Sequence, residues 1–131
     1  MPSLSSLDPD FRPYAEAVFR LAHEMDSRFV VTSARRTYFE QLRLWSNYQW
    51  QKAMAVGVGP DLGPREGYEA RVAKLLPAAF PGTSKHEKGM AWDMARLNID
   101  PFKDELLPLL GAAWNRFGGT WRSSDPVHFE G

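Results

Sequence analysis

The sequence contains no cysteine among its 131 residues. Disulfide bonds and thiolate metal sites are therefore excluded, and any transition-metal site has to be built from histidine and carboxylate side chains. Net charge is also absent, because 16 basic residues balance 16 acidic ones. No general attraction to nucleic acid or anionic membranes is expected. No apolar run is long enough to span a bilayer, so membrane insertion is not expected either.

The sequence also lacks a secretory signal and any sign of a second domain. Residues 1–10 contain neither the basic start nor the apolar core of a secretory signal, so the chain is expected to be cytoplasmic as synthesised. There is no internal repeat and no low-complexity tract. With 131 residues, 44% of them hydrophobic, the sequence predicts a single globular domain over residues 1–131. We expect this domain to be a monomer.

Periodicity and capping signals predict an α+β fold, in which about three helices flank a small, mainly antiparallel sheet. A first helix is expected to start at Asp8-Pro9, since aspartate is a good N-cap and proline suits the first helical position. A second should follow the capping box Thr37-x-x-Glu40. A third is expected from Asp100-Pro101 to about Gly118-Gly119. Strands are predicted at residues 28–33, 90–95, 120–122 and 127–130.

A segment rich in glycine and proline follows the second helix. Residues 56–64 predict an irregular loop and residues 66–76 a short helix. A long loop within a compact domain is often a binding or lid element. We therefore expect the segment from Val56 to Thr83 to take part in the choice of substrate.

Residues 84–93 carry the first two candidate metal ligands. They place the imidazole of His86 and the carboxylate of Asp93 seven positions apart, joined by a turn at Gly89. Strand alternation puts Asp93 on one face with two small alanines, and the large side chains Met90, Trp92 and Met94 on the other. We expect Asp93 to face a cleft. Catalytic zinc sites use such ligands, with three from the protein and one position left open.

Three further residues extend this pattern. His128 is the natural third ligand, because His23 falls beside the apolar stripe of the first helix. Asp125, three residues before His128, is suited to act as a general base from outside the ligand shell. Arg36 falls in a strand-to-helix turn, a position that commonly aims a side chain into a cleft. Each signal is weak by itself, and a lone arginine is more typical of an ion pair than of a catalytic group.

Together and in order, these motifs resemble those of the zinc peptidoglycan peptidases of the D-Ala-D-Ala carboxypeptidase family. That family includes VanY-like enzymes, vancomycin-resistance dipeptidases and phage endolysins that are L-alanyl-D-glutamate endopeptidases. The similarity runs from about residue 30 to residue 130. Its motifs are Ser33-x-x-Arg36-Thr37-x-x-x-Gln41, Ser84-x-His86-x-x-Gly89-x-Ala91-x-Asp93, Gly118-Gly119-x-Trp121 and Asp125-x-x-His128-Phe129-Glu130. The resemblance implies the fold of D-Ala-D-Ala peptidases, lysostaphin-type peptidases and the hedgehog signalling domain.

The resemblance also implies roles for individual residues. The Zn²⁺ ligands that it implies are His86, Asp93 and His128. Asp125 takes the position of the catalytic acid and base. Arg36 takes that of the arginine that holds the substrate and stabilises the oxyanion, and Ser84 matches a serine near the substrate. Gln41 matches a motif position with a structural role.

Two positions depart from the family pattern. Asp125 stands where the dipeptidase and carboxypeptidase branches carry glutamate, which makes this chain more similar to the phage-type endopeptidases. Aspartate is one methylene shorter, so its backbone must lie nearer the metal. Ser-Ala-Arg-Arg at residues 33–36 replaces the more usual Ser-Gly-Tyr-Arg. The role of Arg35 therefore stays open.

The sequence thus favours a zinc metallopeptidase that hydrolyses peptidoglycan stem peptides at the L-Ala-D-Glu bond and reaches the cell wall after release through a phage holin. One alternative is a D-Ala-D-Ala carboxypeptidase or dipeptidase, for which Arg35 and Arg65 are candidates to grip a terminal carboxylate. Another is a non-catalytic zinc-dependent module that binds peptidoglycan or a partner protein. Asp125 and Arg36 argue against such a module, because pure binding needs no base.

Overall fold

The computed structural model describes residues 2–56 and 78–131. Within these ranges lie three α-helices, which are α1 (Arg12–Met25), α2 (Tyr38–Val56) and α3 (Leu106–Arg116). Four strands accompany them, namely β1 (Phe29–Ser33), β2 (Ala91–Arg96), β3 (Thr120–Trp121) and β4 (His128–Glu130). There are also two short 3-10 helices, Leu4–Ser6 and Pro101–Lys103. Apart from Val56, the last residue of α2, the predicted loop at 56–64 lies outside the described residues, as do Arg65 and the predicted helix at 66–76.

The four strands form one antiparallel sheet in the order β1-β2-β4-β3, as the α+β prediction required. Asp93 in β2 is paired with Ser33 on one side and with His128 on the other. The register shifts between Val31 and Ser33, so β1 contains one extra residue at Thr32. Such a bulge re-aims the side chains that follow it. The sheet therefore lines up three polar side chains across β1, β2 and β4.

The opposite face of the sheet carries the core, as strand alternation predicted. Trp92 and Met94 of β2 are fully buried there, together with Phe129 of β4. Trp92 stacks on Phe129 and meets Trp114 of α3 edge-on. Apolar residues of α1, among them Val18, complete this cluster. The packing of α1 and α3 on one face leaves the face that bears Asp93 free to line a cleft.

The predicted start of the first helix at Asp8-Pro9 is wrong, because α1 begins at Arg12. The side chain of Asp8 accepts a hydrogen bond from the backbone N–H of Asp10 at 3.0 Å. The backbone N–H of Asp8 donates to the carbonyl of Gly89 at 3.0 Å. This segment is thus tied to the loop before β2, and Pro13 occupies the first turn of α1 instead.

The capping box at the start of α2 is confirmed. The Thr37 hydroxyl accepts from the Glu40 N–H at 3.1 Å, and the Glu40 carboxylate accepts from the Thr37 N–H at 3.2 Å. None of the helices in the described ranges has both the length and the apolar character needed to cross a membrane.

The predicted helix start at Asp100-Pro101 is wrong, since the chain forms only a 3-10 helix there and α3 begins at Leu106. Asp100 caps only the 3-10 helix, by accepting from the Phe102 N–H at 3.0 Å. The buried carboxylate of Asp104 then accepts from the Leu106 N–H at 2.9 Å, at the first residue of α3. Pro108 explains the division, because proline suits the first turn of a new helix and would break the interior of a longer one.

Candidate metal centre and cleft

Three side chains meet on the free face of the sheet and form a cluster that can hold a metal ion: His86, Asp93 and His128. His86 Nε2 lies 3.0 Å from Asp93 Oδ1 and 3.1 Å from His128 Nδ1. His128 Nδ1 lies 3.1 Å from the same Asp93 oxygen. Ligands about 2.1 Å from a tetrahedral zinc ion are separated by about 3.4 Å from one another. The three donor atoms therefore fit Zn²⁺ in chemistry and in spacing.

Arg36 holds the other oxygen of Asp93. Its Nη2 donates to Asp93 Oδ2 at 2.8 Å, its Nε to Ser33 Oγ at 2.7 Å and its Nη1 to Gln41 Oε1 at 3.1 Å. Gln41 is fully buried and donates in turn to the carbonyl of Ala79 at 2.8 Å. A guanidinium has five N–H groups, so these bonds leave two of them for a substrate. The structure thus places Arg36 as a partner of Asp93, and its contact with substrate stays a prediction.

His86 is fixed by its backbone surroundings. Its Nδ1 faces the carbonyl of Ala34 at 2.7 Å, so this nitrogen carries the proton and Nε2 is left to bind metal. The His86 N–H donates to the Ser84 hydroxyl at 3.2 Å, and the Arg36 N–H donates to the His86 carbonyl at 3.1 Å. Ser84 is buried and shapes the turn that carries His86. Its predicted contact with substrate stays a prediction.

Asp125 lies in the same cleft but outside the ligand cluster. Burial raises the pKa of Asp125 to about 6, and the negative charge of Asp93 adds to this effect. The neighbouring charges of His128, His86 and Arg36 act in the opposite direction. A carboxylate near the ligands whose pKa approaches neutrality is what a general base requires.

Comparison with known protein families gives one match. The family model described as VanY, D-alanyl-D-alanine carboxypeptidase, matches residues 4–110. The chain belongs to the VanY family. It is therefore an enzyme of a family of zinc-dependent peptidoglycan peptidases, as the motifs predicted. A search of curated proteins by sequence gives no match.

Solved structures with the VanY fold agree with this membership. A mutant of the vancomycin-resistance D,D-pentapeptidase VanY, from a VanB-type cassette and in complex with Zn(II), is 24% identical with a TM-score of 0.61, over 95% of this chain and 71% of that one. VanYB in complex with D-alanine-D-alanine is 22% identical with a TM-score of 0.60, over 95% and 70%. The LD-carboxypeptidase LdcB is 16% identical with a TM-score of 0.56, over 95% and 58%. The predicted fold is confirmed.

The predicted zinc cofactor fits both observations. A structural relative in the VanY family holds Zn(II), and this chain brings together two imidazole nitrogens and a carboxylate oxygen at suitable distances. The alternative of a non-catalytic module is disfavoured, because the family to which the chain belongs consists of peptidases. The third histidine, His23, is exposed on α1 and packs beside Phe19, apart from the cluster, as predicted.

The ligand cluster of this VanY-family chain is strongly polarised. Burial alone would raise the pKa of Asp93, but the neighbouring imidazoles of His128 and His86 and the charge of Arg36 bring this pKa below its usual range. Burial opposes the charged form of His128, yet the hydrogen bond and charge of Asp93 raise the pKa of that imidazole. The carboxylate of Asp93 therefore stays ionised, as a metal ligand must be.

The cleft around the cluster has a volume of about 1090 Å³. One wall is the free face of the sheet and the other is α2, which contributes Arg43, Asn47 and Tyr48. Arg35 also lines the cleft and forms no ion pair within the described residues. This volume lies at the upper end of the range for ligand pockets, so the cleft has room for a segment of peptide.

Sequence reasoning missed one acidic residue of the VanY-type site. Glu130 also lines the cleft, two positions after His128 in β4. Because strand residues alternate between faces, Glu130 shares the face of His128. That spacing was a signal for its position, although the sequence does not show what the carboxylate contacts.

Proposed function

We propose that this chain is an endolysin-like L-alanyl-D-glutamate endopeptidase, which hydrolyses a bond within the peptidoglycan stem peptide. The observation that carries this proposal is the position of Asp125, an aspartate of raised pKa that lines the same cleft as the ligand cluster. The motif resemblance associates aspartate at this point with the phage-type endopeptidases. A cleft of about 1090 Å³ supports the same choice, since an endopeptidase must hold peptide on both sides of the cut bond.

Each residue of the site has its own role in this hydrolysis. His86, Asp93 and His128 would hold the ion, which when bound would polarise a carbonyl and lower the pKa of a water ligand to about 7. Asp125 accepts a proton from the attacking water and delivers it to the nitrogen of the leaving amine. Arg36 keeps Asp93 in place and directs its two remaining N–H groups to the oxygen on which negative charge develops.

A muropeptide assay tests the choice of bond. The zinc-loaded protein is incubated with purified muropeptides and the products are weighed by mass spectrometry. We expect the stem peptide to separate after L-alanine, so that the new amino terminus belongs to D-glutamate. An Asp125→Ala variant should keep zinc and fold but release no product. Loss of terminal D-alanine as the sole reaction would contradict the endopeptidase proposal.

The D-Ala-D-Ala carboxypeptidase activity is the second candidate, because the family model bears that description and VanYB binds D-alanine-D-alanine. In that case we expect Arg35 to bind the free terminal carboxylate of the substrate, since Arg35 lines the cleft beside Arg36. An Arg35→Gln variant distinguishes the two. It should raise the KM of a carboxypeptidase for its substrate at least tenfold, a loss expected for one charged contact.

An endolysin role would place the action of this protein at the cell wall, after release from the cytoplasm. Expression in a bacterial host with and without a co-expressed holin tests this part of the proposal. We expect lysis only when both are present. Lysis by the peptidase without the holin would contradict the release route.

A further inference from the structure

The two ring nitrogens of His128 face different partners. Its Nδ1 points into the ligand cluster, 3.1 Å from both His86 Nε2 and Asp93 Oδ1. Its Nε2 lies 3.6 Å from Glu130 Oε2. Apart from Asp93, which faces Nδ1, Glu130 is the one carboxylate among the described residues that forms a contact within 4.0 Å of the His128 ring nitrogens. The 3.6 Å distance exceeds that of a hydrogen bond, so the carboxylate acts on this nitrogen through its negative charge.

Glu130 is held firmly in this position. Its backbone pairs with Ala91 of β2 and with Thr120 of β3, and its carbonyl accepts from Trp114 Nε1 at 2.9 Å. The Glu130 side chain is only 12% exposed, so its carboxylate is mostly enclosed. The carboxylate therefore faces His128 from a rigid part of the sheet, which is the condition for orienting an imidazole.

Two cations balance the charge of Glu130. Arg122 Nη1 lies 2.9 Å from Oε1, and Lys85 Nζ lies 3.7 Å from Oε2. Lys85 also donates to the carbonyl of Gly131 at 2.5 Å, which keeps its ammonium beside the end of β4. Both cations are about half exposed or more. Arg122 and Lys85 therefore hold the Glu130 carboxylate less strongly than buried ion pairs would.

We propose that Glu130 is a positioning residue, whose enclosed carboxylate attracts the Nε2–H of His128 across 3.6 Å and so favours the imidazole form in which Nδ1 is unprotonated and aimed at the metal. Histidines that bind metals generally donate their second N–H to a carboxylate or carbonyl. The other two ligands already have such partners, since His86 donates to Ala34 and Asp93 accepts from Arg36. This inference rests on the proposed function in one respect, that His128 is a ligand.

Zinc affinity is the first measurement. Competition with a chromophoric chelator gives the zinc Kd of Glu130→Ala, Glu130→Gln and the wild-type protein. Loss of an outer partner of this kind weakens metal binding by about 10- to 100-fold, so we expect that rise in Kd for Glu130→Ala. Glu130→Gln keeps an acceptor oxygen and should lose less. The matched control Glu16→Ala removes an exposed carboxylate that pairs with Arg12 on α1, and should leave the Kd unchanged.

The Nε2–H group of His128 is the second measurement, made on the zinc-loaded protein by ¹⁵N–¹H NMR of the imidazole. With Nδ1 bound to the metal, Nε2 carries the proton, and we expect this proton to exchange with water more slowly in the wild type than in Glu130→Ala. A merely structural role would change the thermal midpoint and leave this exchange rate, measured well below that midpoint, unaltered. An unchanged exchange rate overturns the inference.

A His128→Ala variant tests whether His128 binds zinc, independently of the role of Glu130. If His128→Ala keeps wild-type zinc affinity, the ligand set of the proposed function is wrong. If His128→Ala loses zinc but Glu130→Ala does not, only the positioning inference is wrong. Should Glu130→Ala fail to fold, Glu130→Gln provides the same comparison, because it preserves the shape of the side chain.

Discussion

Asp125 is a residue at which the requirements of catalysis and of stability conflict. Burial raises its pKa to about 6 in the folded protein, whereas an unfolded aspartate titrates near 3.9. The folded state therefore binds this proton more tightly than the unfolded state. The stability contributed by the protonated group is fully present below about pH 4 and is lost as the pH rises through about 6.

We predict that Asp125→Asn stabilises the metal-free protein at pH 8, because it removes a buried charge. The expected gain is on the order of 1 kcal/mol, after allowance for partial exposure to solvent. Near pH 4 the gain should vanish. Urea unfolding at both pH values measures the difference. The zinc-loaded Asp125→Asn variant should also lose about 100-fold or more in turnover, because it has no general base. The control variant Asp10→Asn, at an exposed site, should keep wild-type turnover. If Asp125→Asn keeps wild-type turnover, Asp125 is not part of the mechanism.

Arg36 gives the second prediction at the level of single residues. Its guanidinium reaches three acceptors at once, on Ser33, Gln41 and Asp93. Lysine carries the same charge but lacks this planar fork. We expect Arg36→Lys to lower turnover by about 100- to 1000-fold and to weaken zinc binding as well. Steady-state kinetics and chelator competition test this, with the exposed Arg20→Lys on α1 as control. If Arg36→Lys binds zinc as the wild type does, the contact with Asp93 is not needed to hold the ligand.

Among the larger elements, the loop that precedes β2 depends on two glycines in left-handed conformation. Gly89 has a φ of 72°, and a Cβ there would lie 2.9 Å from the backbone nitrogen of Asp8. Gly82 has a φ of 87°, and a Cβ there would meet nothing within 4 Å. Both positions disfavour alanine for its backbone conformation, but only Gly89 also makes a close approach.

We therefore predict that Gly89→Ala destabilises the protein more than Gly82→Ala does. A left-handed conformation costs alanine about 1–2 kcal/mol, which is the loss expected for Gly82→Ala. Gly89→Ala should add the cost of moving the segment at Asp8 away, and should weaken zinc binding because His86 lies in the same loop. Denaturant midpoints of the two variants provide the test. Equal losses would show that the contact between Asp8 and Gly89 contributes nothing.

For the whole molecule, bound zinc is expected to stabilise the fold. An ion that binds only the folded state adds about 2.7 kcal/mol when its free concentration is 100 times the Kd. We predict that a chelator lowers the thermal midpoint by several degrees and abolishes hydrolysis, and that added zinc restores both. In His128→Ala the shift should disappear, and in His23→Ala it should persist. A midpoint that does not respond to the chelator would argue against the cluster as a metal site.

Features that depend on neighbouring residues could be predicted from the sequence, whereas contacts between distant residues could not. The capping box of Thr37 and Glu40 and the alternation around Trp92 involve neighbouring residues, so pattern alone predicted them. The contact of Arg36 with Asp93 joins positions 57 residues apart. It depends on the order and register of β1 and β2, which periodicity does not encode.

The misplaced helix start at Asp8 has a similar cause, since a tertiary contact with Gly89 competes there with a good local N-cap. The sequence could name the three side chains that cluster in the structure, because their motifs are short and keep a fixed order. Glu130 was not, since only the fold brings its carboxylate to the far side of His128. The prediction of one domain over residues 1–131 stays a prediction.

The distance along the chain between the two ligand histidines has a consequence for the unfolded state. His86 and His128 are 42 positions apart, so an ion that joins them closes a long loop in a protein that has no disulfide. By the chain-entropy relation used for disulfides, closing a loop of this span costs the unfolded chain about 4 kcal/mol, so the unfolded chain holds the ion far more weakly than the folded one does. Unlike a covalent bond, this link forms and breaks with the supply of zinc. The lifetime of the protein against proteolysis should therefore follow the zinc content of its surroundings.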